Sequence, residues 1–232
     1  MKYAVVTGSS SGIGLAIAEK LIDEGYYVFI NGRNDFTHSF SEDRCLFVKA
    51  DLSSLDGVEK LVSCVLAKTD NIDCLVLNAG ATCRKQMSEI TMDDWMTVMN
   101  TNVNIPFFIV QKLLPHIIEH GNILFIGSAM GLKPHSTSVP YGVSKTAVNA
   151  LAQALVKETA QHKIRVNSVC PGFVDTEWQK EKPQWLREKI SSKIALKRFA
   201  LPEEIADMCV KIIDNTYMNG AVISVDGGYD ME

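Results

Sequence analysis

The amino-acid sequence predicts an α/β fold: one doubly wound domain with a parallel sheet of about seven strands flanked by helices. Short apolar runs alternate with longer amphipathic runs along the whole chain of 232 residues. Strands that are separated by helices pair in parallel, through right-handed crossovers. The apolar runs are continuous, which is typical of strands whose two faces are both covered. The length suits one large domain, and we expect it to cover residues 1–232.

The predicted elements follow one another in a regular order. Strands are predicted at Tyr3–Val6, Tyr27–Ile30, Leu46–Lys49, Cys74–Leu77, Ile123–Ile126, Val166–Val169 and Ala221–Val225. Helices are predicted at Ile13–Glu24, Ser54–Lys68, Met92–His120, Tyr141–Gln161 and Pro202–Asp214. The segment between the second and third strands is short and polar, so its crossover helix is predicted to be short or missing. The irregular stretch 173–200 is expected to be a flap that covers the substrate.

Composition argues against several classes of function. A formal charge of −4 without a dense Lys/Arg block makes nucleic acid and anionic membrane poor partners. No apolar stretch approaches the roughly 20 residues of a spanning helix, and the first apolar run is too short for a signal peptide. The six cysteines show no C-x-x-C spacing, so we expect reduced cysteines in a cytoplasmic protein. His116 to His120 match a zinc pattern, but we interpret them as a helix end and expect no metal.

A glycine-rich turn, TGSSSGIG at residues 7–14, follows the first predicted strand and leads into a helix. Gly8 permits a tight turn, Gly12 lets the backbone approach a pyrophosphate, and Gly14 lets helix and strand pack closely. The helix N-terminus offers N–H groups and a positive dipole end to phosphates. The turn therefore predicts a dinucleotide site. A strand–turn–helix that binds nothing is the alternative interpretation, because the spacing differs from G-x-G-x-x-G.

A tyrosine and a lysine stand four residues apart at the start of the fourth predicted helix. Tyr141 and Lys145 therefore share one helix face, with Cβ atoms about 5–6 Å apart. A free phenol has a pKa of about 10, and a fixed ammonium nearby stabilises its phenolate. Ser128 ends the fifth predicted strand, where its hydroxyl can reach the same substrate oxygen. The three residues predict hydride chemistry, in which a carbonyl oxygen gains a proton as its carbon gains a hydride.

These motifs together resemble the short-chain dehydrogenase/reductase family, whose Rossmann-type members carry them in this order along nearly the whole chain. The resemblance implies an NAD(P)-dependent oxidoreductase. Within the family, the layout of the motifs is similar to that of 3-oxoacyl-acyl-carrier-protein reductases. It implies a cofactor site made of Gly8, Ser10, Ser11, Gly12, Ile13, Gly14, Arg33, Asn34, Asp51, Leu52, Asn78, Ala79, Gly80, Tyr141, Lys145, Pro171, Gly172, Val174 and Thr176. It implies a catalytic set of Asn102, Ser128, Tyr141 and Lys145, with Lys145 binding ribose and lowering the pKa of Tyr141.

The end of the second strand favours NADP over NAD. Arg33 would attract a 2′-phosphate, and Gly32 stands where family members that prefer NAD tend to have Asp. Ser11 argues the other way, because many members that prefer NADP have a second basic residue there. We therefore expect NADP, with NAD as the alternative.

Asn102 lies inside the helical pattern that Pro106 interrupts. Proline has no N–H, so the carbonyl four residues earlier, that of Asn102, loses its helical partner. In the family, the matching Asn holds a water that leads from the lysine to solvent. The sequence thus suggests a proton path from Tyr141 through Lys145 and water to Asn102. An Asn at a tolerated kink is the alternative.

Substrate and assembly are less constrained by the sequence. Few fixed charges are expected near the substrate, which favours an acyl thioester over a sugar. The apolar residues predicted to face the substrate are Met130, Leu132, Phe173, Trp178, Trp185 and Leu186. A sugar, steroid or other alcohol dehydrogenase is the alternative, and a non-catalytic dinucleotide sensor a further one. The resemblance implies a homotetramer. Small residues on the Tyr141 helix suit helix pairing or packing within the subunit: Ala147, Ala150, Ala152 and Ala154.

Overall fold

A computed structural model describes residues 1–37, 40–133 and 138–229 of the chain. Its seven strands form one parallel sheet in the order β3-β2-β1-β4-β5-β6-β7, which confirms the predicted fold class. The strands are β1 Lys2–Val6, β2 Tyr26–Gly32, β3 Cys45–Lys49, β4 Ile72–Leu77, β5 Ile117–Ile126, β6 Arg165–Pro171 and β7 Val222–Val225. The order reverses at β1, so the loops after β1 and β4 diverge and leave a crevice between them.

The helices are α1 Gly12–Asp23, α2 Leu55–Leu66, α3 Met92–Met99, α4 Ile105–Leu113, α5 Val139–Thr159, α6 Glu177–Lys180, α7 Gln184–Ser192 and α8 Pro202–Asp214. Ser54 begins α2 by accepting a hydrogen bond from the Gly57 N–H. Thr91 begins α3 in the same way, and Asp94 bonds back to the Thr91 N–H in a capping box. In the described parts of the chain, no helix is long and apolar enough to cross a membrane.

Two apolar layers cover the sheet, one on each face. On one face Leu61 of α2, Ile109 of α4 and Val148 of α5 pack against strand residues such as Val5 and Phe29. On the other face α1 and α8 pack against residues such as Ala4 and Val28. Successive residues of one strand therefore serve opposite layers, which is why the strands are apolar without alternation.

The single long helix predicted at Met92–His120 is wrong in its continuity and in its end, because the structure has two α-helices there and neither extends beyond Leu113. A π-helical turn at Asn100–Asn104 separates α3 from α4, and a 3-10 turn at Leu114–His116 ends α4. The following Ile117 to His120 belong to β5, so the helical interpretation of the HIIEH pattern is wrong as well. The physical reason is that Pro115 supplies no N–H and the next residues are β-branched isoleucines, which favour a strand.

Two irregular stretches were anticipated from the sequence. Between β2 and β3 the described residues contain no helix, while His38 and Ser39 lie outside the described residues. The flap at 173–200 is more ordered than expected, because it contains α6 and α7 and makes a parallel bridge between Val174 and Ala200. All six cysteines are free thiols.

Candidate active site

A cleft of about 710 Å³ lies at the carboxyl edge of the sheet. This size falls within the roughly 300–1,000 Å³ of ligand pockets in proteins. The loops that follow β1, β2, β3, β4, β5 and β6 all contribute to its walls. It is lined by most of the predicted site residues: Gly8, Ser10, Ser11, Gly12, Ile13, Arg33, Asp51, Leu52, Asn78, Ala79, Gly80, Ser128, Tyr141, Lys145, Pro171, Gly172, Val174 and Thr176.

Three predicted site residues do not line the cleft. Gly14 is buried under it, where an added Cβ would lie 2.4 Å from the Gly8 carbonyl oxygen, so its part is the close packing of α1. Asn34 is exposed beside Arg33 and outside the lining, so its placement in the cofactor site is not supported. Asn102 is buried behind the loop that follows β4.

Buried polar side chains from neighbouring strands shape the glycine turn. The Asn31 side chain accepts a hydrogen bond from the Gly8 N–H at 3.0 Å and donates to the carbonyls of Val48 and Ala50. Asn31 thereby joins the ends of β1, β2 and β3. Asn31 was not among the predicted site residues, although an Asn near the end of an otherwise apolar strand is a signal of a buried polar role.

On the other side of the turn, Thr7 and Asn78 join the ends of β1 and β4. The Thr7 hydroxyl accepts from the N–H groups of Asn78 and Ala79 at 2.9 and 3.1 Å. The Asn78 amide donates to the Thr7 and Gly8 carbonyls at 3.0 and 2.8 Å. Asn78 therefore fixes the turn from behind as well as lining the cleft.

The turn has the features that a bound pyrophosphate needs. Gly8 and Gly12 have φ angles of 60° and 57°, which disfavour other residues. Ser11 begins α1 without a side-chain cap, and the first turn of α1 contains no acidic residue. The N–H groups and positive dipole end of α1 thus face the cleft without a counter-charge from their own helix.

The far end of the cleft carries a positive charge. Arg33 is exposed and forms no ion pair with any residue that the structure describes. The nearby Asp35 carboxylate is bound by Lys49 at 2.7 Å. An added Cβ on Gly32 would lie 2.7 Å from the Ser10 Oγ, so this position has little room for a side chain.

Tyr141 and Ser128 meet at the inner end of the cleft. The Ser128 hydroxyl lies close enough to the Tyr141 phenol for a hydrogen bond between them to act on the pKa of the phenol. Burial raises the pKa of Tyr141, while that hydrogen bond and the charge of Arg84 act in the lowering direction. The net shift is upward, opposite to the shift that the sequence analysis expected from Lys145.

Lys145 is buried beside them on α5. Its Nζ donates to the Ile126 carbonyl at 2.6 Å and lies 5.8 Å from the centroid of the Tyr141 ring. Burial lowers the pKa of Lys145 to about 8. The Lys145 ammonium therefore lines the cleft while it is bonded to the Ile126 carbonyl, and it is not bonded to the phenol of Tyr141.

The Asn102 side chain ties two walls of the site together. Its Oδ1 accepts from the Ala81 N–H at 2.7 Å, and its Nδ2 donates to the Ala81 carbonyl and to Ser144 Oγ, both at 2.9 Å. Gly80 lies against both Asn102 and Lys145, since an added Cβ there would lie 3.4 Å from Asn102 Oδ1 and 3.8 Å from Lys145 Nζ. Asn102 stands in the π-helical turn ahead of Pro106. Such turns occur often at functional sites.

A second, smaller pocket of about 120 Å³ adjoins the cleft, and Ser128 and Tyr141 line both cavities. Of the residues predicted to face the substrate, Met130, Phe173 and Trp178 line this pocket. Leu132, Trp185 and Leu186 do not, and Trp185 is 64% exposed. The expectation of few fixed charges is wrong, because Arg84 and Lys182 line the pocket. Their positions on loops gave no periodic signal in the sequence.

The flap is anchored beside this pocket by one arginine. Arg187 donates to Asp175 Oδ1 at 2.9 Å and to the Gln179 carbonyl at 3.1 Å. Its guanidinium also lies 4.6 Å from the centroid of the Phe199 ring. These contacts join α7 to α6 and to the loop after β6, so the outer wall of the pocket is fixed by the flap's own side chains.

Comparison with known proteins agrees with this geometry. The family model described as short chain dehydrogenase matches residues 2–187. This chain belongs to the short-chain dehydrogenase family. The 3-oxoacyl-[acyl-carrier-protein] reductase FabG of Thermotoga maritima is 32% identical over 238 residues, covering 98% of this chain and 97% of that protein. Glucose 1-dehydrogenase 2 of Bacillus subtilis is also 32% identical, over 242 residues, covering 98% of this chain and 94% of that protein.

A solved structure extends the comparison to three dimensions. The RhlG/NADP active-site complex of Pseudomonas aeruginosa matches with a TM-score of 0.88 at 30% identity, covering 99% of this chain and 96% of that chain. The protein is thus an oxidoreductase of a family that uses NAD or NADP. Its cleft fits such a dinucleotide, because the uncapped α1 N-terminus and the positive-φ glycines form an anion cradle in the cleft that Tyr141 also lines.

The contacts of Asn102 generate a prediction about stability. Asn102→Ala leaves the Ala81 N–H and carbonyl without their partner, and each unpartnered buried group costs about 1–3 kcal/mol. We expect a clear loss of unfolding free energy in urea denaturation. Asn104→Ala is the matched control, because Asn104 is exposed in the same turn and donates only to the Asn100 side chain. Equal stability of the two variants would contradict the role of Asn102.

Proposed function

We propose that this short-chain dehydrogenase is NADP(H)-dependent and reduces a carbonyl to a secondary alcohol, or catalyses the reverse reaction. The observation that carries the proposal is that Tyr141 and Ser128 lie together where the cleft meets the small pocket. Two hydroxyls at that junction can hold one carbonyl oxygen between them. A protein that only senses a dinucleotide has no need of such a buried acid.

The dinucleotide would lie along the cleft. The glycine turn and the N-terminus of α1 would hold its pyrophosphate, and Arg33 would hold the 2′-phosphate. Val174 and Thr176 also line the cleft, with Thr176 beside Gly12, and would hold the nicotinamide. When bound, the reduced nicotinamide supplies the hydride.

The residues of the chain supply the proton and the orientation. Tyr141 donates its phenolic proton to the carbonyl oxygen, and Ser128 orients that oxygen. Lys145 binds the nicotinamide ribose and keeps a positive charge near the phenol. The Asn102 backbone carbonyl holds a water that connects Lys145 to solvent and resupplies the proton. The π-helical turn at Asn102 and the packing of Gly80 against both side chains support this path.

The resemblance constrains the substrate and the oligomeric state less than it constrains the reaction. Two relatives with the same sequence identity are named as a 3-oxoacyl reductase and as a glucose dehydrogenase. The identity of the substrate must therefore be inferred from the residues of the pocket. A 3-oxoacyl thioester remains the candidate that the resemblance favours. The homotetramer also stays a prediction. It is supported by Ala150 and Ala154, which α5 exposes, whereas Ala152 is buried inside the subunit.

The first test concerns the acid. We expect Tyr141→Phe to reduce kcat by about 100- to 10,000-fold, the usual contribution of general acid–base catalysis. The affinity for NADPH should stay nearly unchanged, because only one hydroxyl is removed. Lys145→Met should weaken both turnover and cofactor binding. Rates are followed through cofactor absorbance and affinities by calorimetry, and substantial turnover by Tyr141→Phe would refute the mechanism.

The second test uses pH. Burial raises the pKa of Tyr141, so the phenol is protonated at neutral pH and suited to donate a proton. We therefore expect the kcat/KM of carbonyl reduction to fall at alkaline pH, where Tyr141 loses its proton. The kcat/KM of alcohol oxidation should rise over the same range, because that direction needs the phenolate. Profiles that move in the same direction would argue against Tyr141 as the proton donor.

The third test concerns the cofactor. Arg33→Asp should weaken NADPH binding by about 1.5–3 kcal/mol, the value of a charge-assisted hydrogen bond, with repulsion added. NADH binding should change little, so the preference should move towards NADH. Lys60→Asp makes the same change in net charge on the exposed side of α2, away from the cleft, and serves as the control. Equal efficiency of the wild type with both cofactors would overturn the NADP assignment.

A further inference from the structure

The small pocket beside Tyr141 is where the rest of a substrate must lie. A carbonyl oxygen held by Tyr141 and Ser128 leaves the remainder of the molecule between the loop after β4 and the flap. The volume of about 120 Å³ is well below that of pockets for drug-sized ligands, which hold roughly 300–1,000 Å³. The pocket therefore suits a compact substrate.

Two cationic side chains from separate segments of the chain line this pocket. Arg84 comes from the loop after β4, and its guanidinium donates to the Trp178 carbonyl at 3.3 Å. Lys182 comes from the flap, between α6 and α7. Burial and the positive charges of Arg84 and Arg187 lower the pKa of Lys182. Arg84 and Lys182 are thus close enough for their charges to act on one another.

These two cations lack the carboxylate partners that their neighbours have. Arg187 is paired with Asp175 at 2.9 Å, and Lys180 with Glu177 at 2.6 Å. Among the residues that the structure describes, neither Arg84 nor Lys182 forms an ion pair with a carboxylate. Neighbouring like charges without a counter-ion are unfavourable, and a bound anion would relieve the repulsion.

The same pocket contains two buried polar atoms without a hydrogen-bond partner. They are Ser138 Oγ, immediately before α5, and Gln179 Oε1 in the flap. Buried polar groups are nearly always satisfied, so these two atoms mark a polar wall behind the pocket. An aliphatic chain in the pocket would leave both cations without a partner.

We infer that the substrate is a short oxo acid, or the corresponding hydroxy acid, whose carboxylate binds between Arg84 and Lys182. This inference rests on the proposed function and narrows its substrate. The carbonyl carbon gains a hydride from the reduced dinucleotide, and the carbonyl oxygen gains the proton of Tyr141. The oxo acid is thereby reduced to a hydroxy acid and the dinucleotide is oxidised. A carrier-bound 3-oxoacyl thioester, neutral around its carbonyl, is the rival substrate.

The experiment compares 2-, 3- and 4-oxo acids of four or five carbons with their methyl esters. The ester keeps the shape and loses the charge. We expect at least one acid to exceed its ester in kcat/KM by about 10- to 100-fold, the size of a charge-assisted hydrogen bond. Lys182→Met should lower kcat/KM for that acid by a similar factor, mainly through KM, and leave the ester unchanged. Lys180→Met, two residues away and paired with Glu177, should change neither.

A binding measurement separates this inference from the proposed function. Trp178 lines the pocket, so its fluorescence should change when the preferred acid is titrated into the NADP-bound protein. The change should be lost in Trp178→Phe and weakened in Lys182→Met. Equal use of acid and ester, with no effect of Lys182→Met, overturns the inference and leaves the function standing. A preference for 3-oxoacyl thioesters over the free acids overturns the inference in favour of the carrier-bound substrate. Saturable acid binding without turnover of any carbonyl supports the anion site and refutes the proposed function.

Discussion

Parallel pairing puts the carboxyl ends of all seven strands at one edge of the sheet, and hydrogen bonds between those ends determine the shape of the cleft. Asn31 joins the ends of β1, β2 and β3, and Thr7 with Asn78 joins β1 to β4. The glycine turn lies between these two sets of bonds. Its positive-φ glycines and the open N-terminus of α1 can form an anion site only because the turn is held from both sides.

The inner end of the cleft is governed by burial. Removing Tyr141 and Lys145 from water opposes their charged forms, so the phenol keeps its proton and the ammonium is only moderately basic. The Ile126 carbonyl and the Ser128 hydroxyl supply the polar contacts that make this burial tolerable. Asn102 stiffens the opposite wall by holding the backbone of Ala81. Acid, ammonium and cleft wall are thus parts of one buried polar network.

Much of the fold could be predicted from the sequence, because buried parallel strands are continuous apolar runs with clear boundaries. The glycine turn and the Tyr141–Lys145 pair were also readable, since their chemistry depends on short-range spacing. The single helix at Met92–His120 was misjudged because helical periodicity continues through a π-helical turn and into Ile117 and Ile118. Hydrophobic pattern alone does not separate such a run from the start of a strand.

The contacts that sequence reasoning missed are those between distant segments. Asn31 joins strand ends that lie far apart along the chain, and Arg84 bonds to the Trp178 carbonyl near Lys182 only because the flap returns over the loop after β4. No local spacing encodes either contact. The charge of the small pocket was therefore misjudged as low, although both residues are plain in the sequence.

The central claim is that a substrate carbonyl held at Tyr141 and Ser128 receives hydride from a dinucleotide in the cleft. It is tested most directly with NADPH that carries deuterium at one face of C4 of the nicotinamide. The account predicts one deuterium on the carbinol carbon of the product from one of the two labelled forms and none from the other, as measured by mass spectrometry and NMR. Product that lacks deuterium with both forms, or that takes its new C–H hydrogen from solvent, would contradict the account.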